Sequence, residues 1–129
     1  MKKKNYVLIG SFHLINLILI LFYLYPGSIF GYVIYGDFTK QPEIARDFVI
    51  SSNHFFVFIF LSTLGILAYS NSNKINTMIK YLFSISIILE LMHIIIPHRT
   101  FEVKDLLGNI LGIVLIIGIY KFKKIYAQN

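Results

Sequence analysis

Seven residues between 90 and 109 carry groups that can do chemistry, and they stand among apolar neighbours: Glu90, His93, His98, Arg99, Glu102, Asp105 and Asn109, in the stretch LELMHIIIPHRTFEVKDLLGNILG (89–112). Carboxyl and imidazole groups can take up and release protons. A guanidinium can fork onto a phosphate or carboxylate. On a helix, Glu90 and His93 share a face, and Asp105, Asn109 and Gly112 form a stripe. The chain has no cysteine, which excludes a thiol nucleophile, a disulfide framework and a thiolate metal site.

The elements that must hold these groups are membrane spans. The chain has 129 residues, 57% of them hydrophobic and only 14% charged, too few polar residues to coat a soluble domain of this size. The apolar residues fall into four blocks, which predicts an all-α, polytopic membrane helix bundle, one domain over 1–129 with spans near 6–25, 53–70, 78–97 and 105–121. Block one lacks a small-x-small cleavage site and is longer than a signal core, so it is read as an uncleaved span.

Charge sets the expected orientation. Lys2, Lys3, Lys4, Lys74, Lys80, Lys121, Lys123 and Lys124 fall on one side of the four spans, against Lys40, Arg46, Arg99 and Lys104 on the other. The positive-inside tendency therefore puts both termini in the cytoplasm. The net charge of +6 is then a topology signal, and nucleic acid is not an expected partner. Residues 26–49 become the long external segment, broken at Pro26-Gly27 and Gln41-Pro42. Its aromatic residues would suit the headgroup layer.

This topology brings the polar groups to one end. His54 opens span two, Glu90 and His93 close span three, and Asp105 and Asn109 open span four, with Arg99 in the connection. Gly108 and Gly112 leave room for spans to approach. A carboxylate within a span costs about 2.5–3.5 kcal/mol on insertion scales, so Glu90 needs a partner, with His54, His93, Arg99 and Asn109 the candidates. Taken singly, each residue has a plainer reading. Polar side chains in spans often only join helices, at about 1 kcal/mol or less each. An Arg99–Asp105 surface pair would contribute little. His13 and Asn16, deeper in span one, are assigned to packing or hydrogen bonding.

The spacing E-x-x-H…P-x-R…D-x-x-x-N-x-x-G, formed by Glu90, His93, Pro97, Arg99, Asp105, Asn109 and Gly112, resembles the signature of the VanZ-like membrane proteins. His54 fits the family's upstream histidine. His93 stands where the family usually has Gln, and Ile50 and Ser51 stand where it has Asp-Lys. The resemblance implies a cell-envelope role in antibiotic resistance, against the lipoglycopeptide teicoplanin more than the glycopeptide vancomycin. A composition rich in Ile, Lys and Asn and poor in Ala and Gly points to a low-GC bacterium. With the spans and the resemblance, the expected location is the cell membrane of a Gram-positive organism.

Two function classes follow. In one, His54, Glu90, His93, Arg99, Asp105 and Asn109 bind an outer-leaflet amphiphile, which is a membrane lipid, a cell-wall precursor or the lipoglycopeptide itself. In the other, the chain is a small intramembrane enzyme on an envelope lipid or lipid-linked substrate, with Glu90, His93 and His54 as candidate catalytic groups. Glu90 and His93, with His54 and Asp105, could also ligate a metal, but the family's Gln at the position of His93 argues against it. No metal and no cofactor is therefore expected. Transport fits poorly in so short a chain without repeats. A homo-oligomer stays open.

Overall fold

The computed structural model describes residues 6–127; Lys2, Lys3 and Lys4, part of the charge asymmetry, lie outside the described residues. It consists of five helices: α1 (Tyr6–Leu24), α2 (Ile29–Tyr35), α3 (Ser52–Tyr69), α4 (Ile75–Met92) and α5 (Val103–Tyr126). Four of them, α1, α3, α4 and α5, are long and apolar enough to cross a membrane. No strand occurs among the described residues. The bundle's outward surface is apolar, with Leu14, Leu17, Leu21, Ile88, Leu91, Val114 and Leu115 exposed. That pattern suits lipid, because backbone polar groups are satisfied inside each helix. The centre is filled by Phe12, Phe58, Leu61, Leu82 and Ile113, all fully buried.

The closest helix pair is α3 with α5, and two glycines make it so. A Cβ on Gly112 would lie 2.7 Å from the Phe55 carbonyl oxygen, and one on Gly108 2.8 Å from that of Ser51. Both obstacles are backbone and cannot swing aside. The starts of these two helices are also joined directly, Ser51 N donating to the Lys104 carbonyl at 3.1 Å.

Local chemistry explains the ends. Tyr25 precedes Pro26, a position that disfavours helical backbone, and α1 stops at Leu24. Its last carbonyls are then capped from a distance. Arg99 Nη2 donates to Phe22 O at 3.0 Å and Nε to Tyr25 O at 3.1 Å. The short α2 starts at Ser28, whose Oγ accepts from Gly31 N at 2.9 Å, and ends at Gly36 in the left-handed region (φ 67°). Hydropathy carries span three to residue 97, but α4 ends at Met92. His93, Ile94 and Ile95 bond three residues back, to Glu90, Leu91 and Met92, tightening the chain into turns before Pro97. At its other end α5 runs to Tyr126, beyond the expected boundary, with Lys123 and Lys124 in a last turn where cations suit the helix dipole.

Candidate functional site

Glu90 lies in the last turn of α4 and is fully buried. A carboxylate beside its own helix's free carbonyls is badly placed for the helix dipole. The fold offsets this by presenting the start of another helix. Glu102, the N-cap residue of α5, donates its backbone N–H to Glu90 Oε1 at 3.2 Å. The same oxygen lies 3.4 Å from His93 Nδ1. His93 Nε2 is 3.1 Å from the Tyr23 carbonyl oxygen, which can only accept, so this nitrogen carries a hydrogen. One more proton must then sit between His93 Nδ1 and Glu90, on either partner. The other oxygen of Glu90, Oε2, is buried and has no hydrogen-bond donor among the described residues.

His54, in the first turn of α3, faces that oxygen. Its Nδ1 lies 3.8 Å from Glu90 Oε2 and its Nε2 3.6 Å from Asp105 Oδ2. Nδ1 is also 3.0 Å from the Tyr23 hydroxyl and 3.1 Å from Asn109 Oδ1. Tyr23 donates its hydroxyl hydrogen to Asn109 Oδ1 at 3.0 Å, and Asn109 Nδ2 donates to Ser86 O at 3.3 Å. These contacts are all satisfied when His54 carries its hydrogen on Nδ1, pointing at the Asn109 and Tyr23 oxygens. The Nε2 lone pair then faces Asp105.

His54, Glu90, His93, Asp105 and Asn109 thus meet within one end of the bundle. Arg99 borders the same cavity, but its Nε and Nη2 hold the end of α1, so only the Nη1 side of its fork remains for a ligand. It pairs with neither Glu90 nor Asp105 among the described residues. Burial pushes its guanidinium pKa down, countered by the charges of Glu90 and Asp105. Gly108 and Gly112 sit at the α3–α5 contact already described. Away from this end, His13 Nε2 meets the Tyr69 hydroxyl at 3.0 Å and Asn16 donates to the Tyr81 hydroxyl.

Sequence spacing missed Tyr23, which reads as one more interfacial aromatic until its burial and two hydroxyl contacts are seen. It also missed the fastening of the 41–47 segment to α3. Asn53 Nδ2 donates to Pro42 O at 2.7 Å, Ser52 Oγ to Ala45 O at 2.6 Å, and Asp47 Oδ1 accepts from Ser52 N at 2.8 Å. Lys104 Nζ bridges Asp47 and Glu102, at 3.3 Å from each.

Two cavities adjoin the cluster. A polar chamber of about 230 Å³ is bordered by His54, His98, Arg99, Glu102, Lys104 and Asp105. A larger groove of about 640 Å³ runs between α1 and α3 under α2, with Ile18, Phe22, Phe30, Phe56, Val57 and Phe60 as its apolar walls. His54, His93 and Arg99 border both.

The model of the VanZ/LLP1 family matches residues 10–124, nearly the whole chain and every residue of the cluster. The chain belongs to the VanZ/LLP1 family. No curated protein and no solved structure matches it. As a family member with four helices able to cross a bilayer, it is a multi-pass membrane protein.

Proposed function

We propose that this VanZ-family protein binds one amphiphile of the outer leaflet, its headgroup in the polar chamber and its apolar chain in the α1–α3 groove. By binding or shielding that molecule it lowers susceptibility to lipoglycopeptides such as teicoplanin. The carrying observation is the pairing of a polar chamber with an apolar groove across shared residues His54, His93 and Arg99. The groove is within the size range of ligand pockets. The charge asymmetry supports the outward orientation. In binding, the Nη1 side of Arg99 and the side chain of Lys104 take the anionic part of the headgroup, and Phe22, Phe30 and Phe60 line the chain.

The test is native mass spectrometry of the purified protein with lipid, cell-wall precursor and teicoplanin, alongside susceptibility of a Gram-positive host. Val57→Trp, which fills the groove, should lose the bound amphiphile and the protection together. A well-folded wild type that retains none of the three ligands sinks the reading.

A second reading is favoured by one observation, the buried Glu90 Oε2 with no donor among the described residues, 3.8 Å from the imidazole of His54. In that reading the protein is an intramembrane enzyme on an envelope lipid or lipid-linked substrate. Glu90 serves as acid or base and His54 as the second proton-transfer group. Its signature would be a changed species in lipid extracts incubated with wild type and not with Glu90→Gln.

A further inference from the structure

We propose that His54, Glu90 and Asp105 form a binding site for one divalent cation of the kind that accepts mixed nitrogen and oxygen donors, Zn²⁺ foremost. One donor atom from each residue lies within 4.8 Å of the other two. They come from three helices, α3, α4 and α5. A four-coordinate zinc holds its ligands about 2.0–2.2 Å away, which places them roughly 3.3–3.6 Å from one another. The His54 Nε2–Asp105 Oδ2 separation of 3.6 Å is close to that spacing. Glu90 Oε2 lies 3.8 Å from the other ring nitrogen, Nδ1, so the Glu90 carboxylate is the looser member of the set and closes onto the ion when it binds.

The second observation is the state of the donors. Glu90 Oε2 is fully buried and accepts no hydrogen bond. A buried carboxylate oxygen without a partner is costly, and it lies beside the other two donor residues. Its sister oxygen is held by Glu102 N and His93, so the carboxylate cannot turn to satisfy the bare one without losing those contacts. His54 is held as a ligating histidine is held. Its Nδ1 hydrogen points to Asn109 Oδ1 and the Tyr23 oxygen, which fixes the tautomer and turns the Nε2 lone pair to Asp105.

Charge agrees. Two carboxylates, a neutral His54 and the one extra proton shared by Glu90 and His93 leave a net negative charge to compensate. Among the described residues no Lys or Arg forms an ion pair with Glu90 or Asp105: Lys104 lies against Asp47 and Glu102, and Arg99 donates to the carbonyls of Phe22 and Tyr25. His93, which also lies against Glu90, contacts Oε1 and not Oε2. This removes the objection raised by the family's Gln at that position. His93 is a neighbour that orients Glu90, and the third ligand is Asp105, from the family's own D-x-x-x-N stripe. His54 and Asp105 also border the polar chamber, so coordination positions left open by three protein ligands would face an incoming headgroup phosphate or a water.

The site stands on the cluster alone and does not depend on amphiphile binding. Untagged full-length protein in detergent is stripped with a chelator and titrated with Zn²⁺, bound metal being counted by elemental mass spectrometry. Co²⁺ is used in parallel for its visible absorption. One cation per chain is expected. Asp105→Asn and His54→Gln should each weaken binding at least tenfold and alter or abolish the Co²⁺ bands, whereas His93→Gln should retain both. Asp105 is the least buried of the three ligands, so its variant is the one least prone to misfold. No stoichiometric binding by folded wild type overturns the proposal, and so does binding that survives both ligand variants. Lipid retention, read on the same samples, fails or holds separately.

Discussion

Where α3 turns into α4, polar side chains meet phenols: His13 with Tyr69, Asn16 with Tyr81, and the Tyr120 hydroxyl with the Ser70 carbonyl. At the opposite end, two carboxylates, two imidazoles and an amide crowd together on the same long helices. The first set consists of pairs in which each hydroxyl can give or take as its neighbour requires, leaving the Asn16 carbonyl as a neutral buried acceptor. In the second set acceptors outnumber donors, and the leftover acceptor belongs to a carboxylate. Neutral pairs join helices and ask for nothing further. A surplus of anionic acceptors inside a bundle is unfinished until something electropositive arrives.

The contrast is most exposed to a pair of substitutions. Glu90→Gln should abolish teicoplanin protection in a host where the variant reaches the membrane in normal amount. Tyr81→Phe, which deletes one hydroxyl contact at the plain end, should leave protection intact and cost about 0.5–1 kcal/mol of stability in detergent. Loss of protection in both would erase the distinction between the ends.

Next in size is a test of the scaffold. Gly112→Ala drives a Cβ into the Phe55 carbonyl and should destabilise by about 1–3 kcal/mol in thermal melts. Gly118→Ala on the same helix meets nothing within 4 Å and should be neutral or stabilising by up to about 1 kcal/mol. Equal effects would mean that α3 and α5 are not held at close range.

Arg99→Lys sharpens a smaller point. One ammonium cannot reproduce the fork on Phe22 O and Tyr25 O, so amide exchange in the last turn of α1 should speed up by roughly tenfold, the equivalent of one charged hydrogen bond. Unchanged exchange would free Arg99 to be counted as a ligand group only.

The weakest effect concerns Asp47. The Ser52 N–H, more than Lys104, holds its carboxyl below the usual range. Its folded pKa is therefore below the unfolded value of about 3.9, so the stabilisation is complete above that value and disappears as pH falls through the folded one. Asp47→Ala should cost under about 1 kcal/mol at neutral pH and nothing once the carboxyl is protonated. A constant penalty at all pH values would assign the loss to packing.

Hydropathy alone places the four long helices to within a few residues at most ends, because apolar runs and charged flanks respond to the same bilayer. The convergence of His54, Glu90, Asp105 and Asn109 was readable too, since antiparallel spans with short connections must bring these ends together. Contacts that depend on direction were not readable. Arg99 looked like a partner for Glu90, yet it turns to the carbonyls that Pro26 leaves behind. Tyr23 gave no sign, being one of nine tyrosines in the chain. The short α2 hid because seven residues carry too little periodicity to register. The partner of Glu90 Oε1 is a backbone N–H, which no side-chain pattern can announce.

The main-chain bond from Ser51 to Lys104, with two glycines packed beneath it, seals the seam between α3 and α5. Traffic through that side would have to break backbone contacts, whereas the α1–α3 side is already parted by the groove. A molecule reaching the cluster from there arrives sideways, by diffusion in two dimensions. Occupancy would then follow the guest's mole fraction in the leaflet, and a compound dilute in water but concentrated in lipid would saturate the protein at doses where its water-loving relatives do not register.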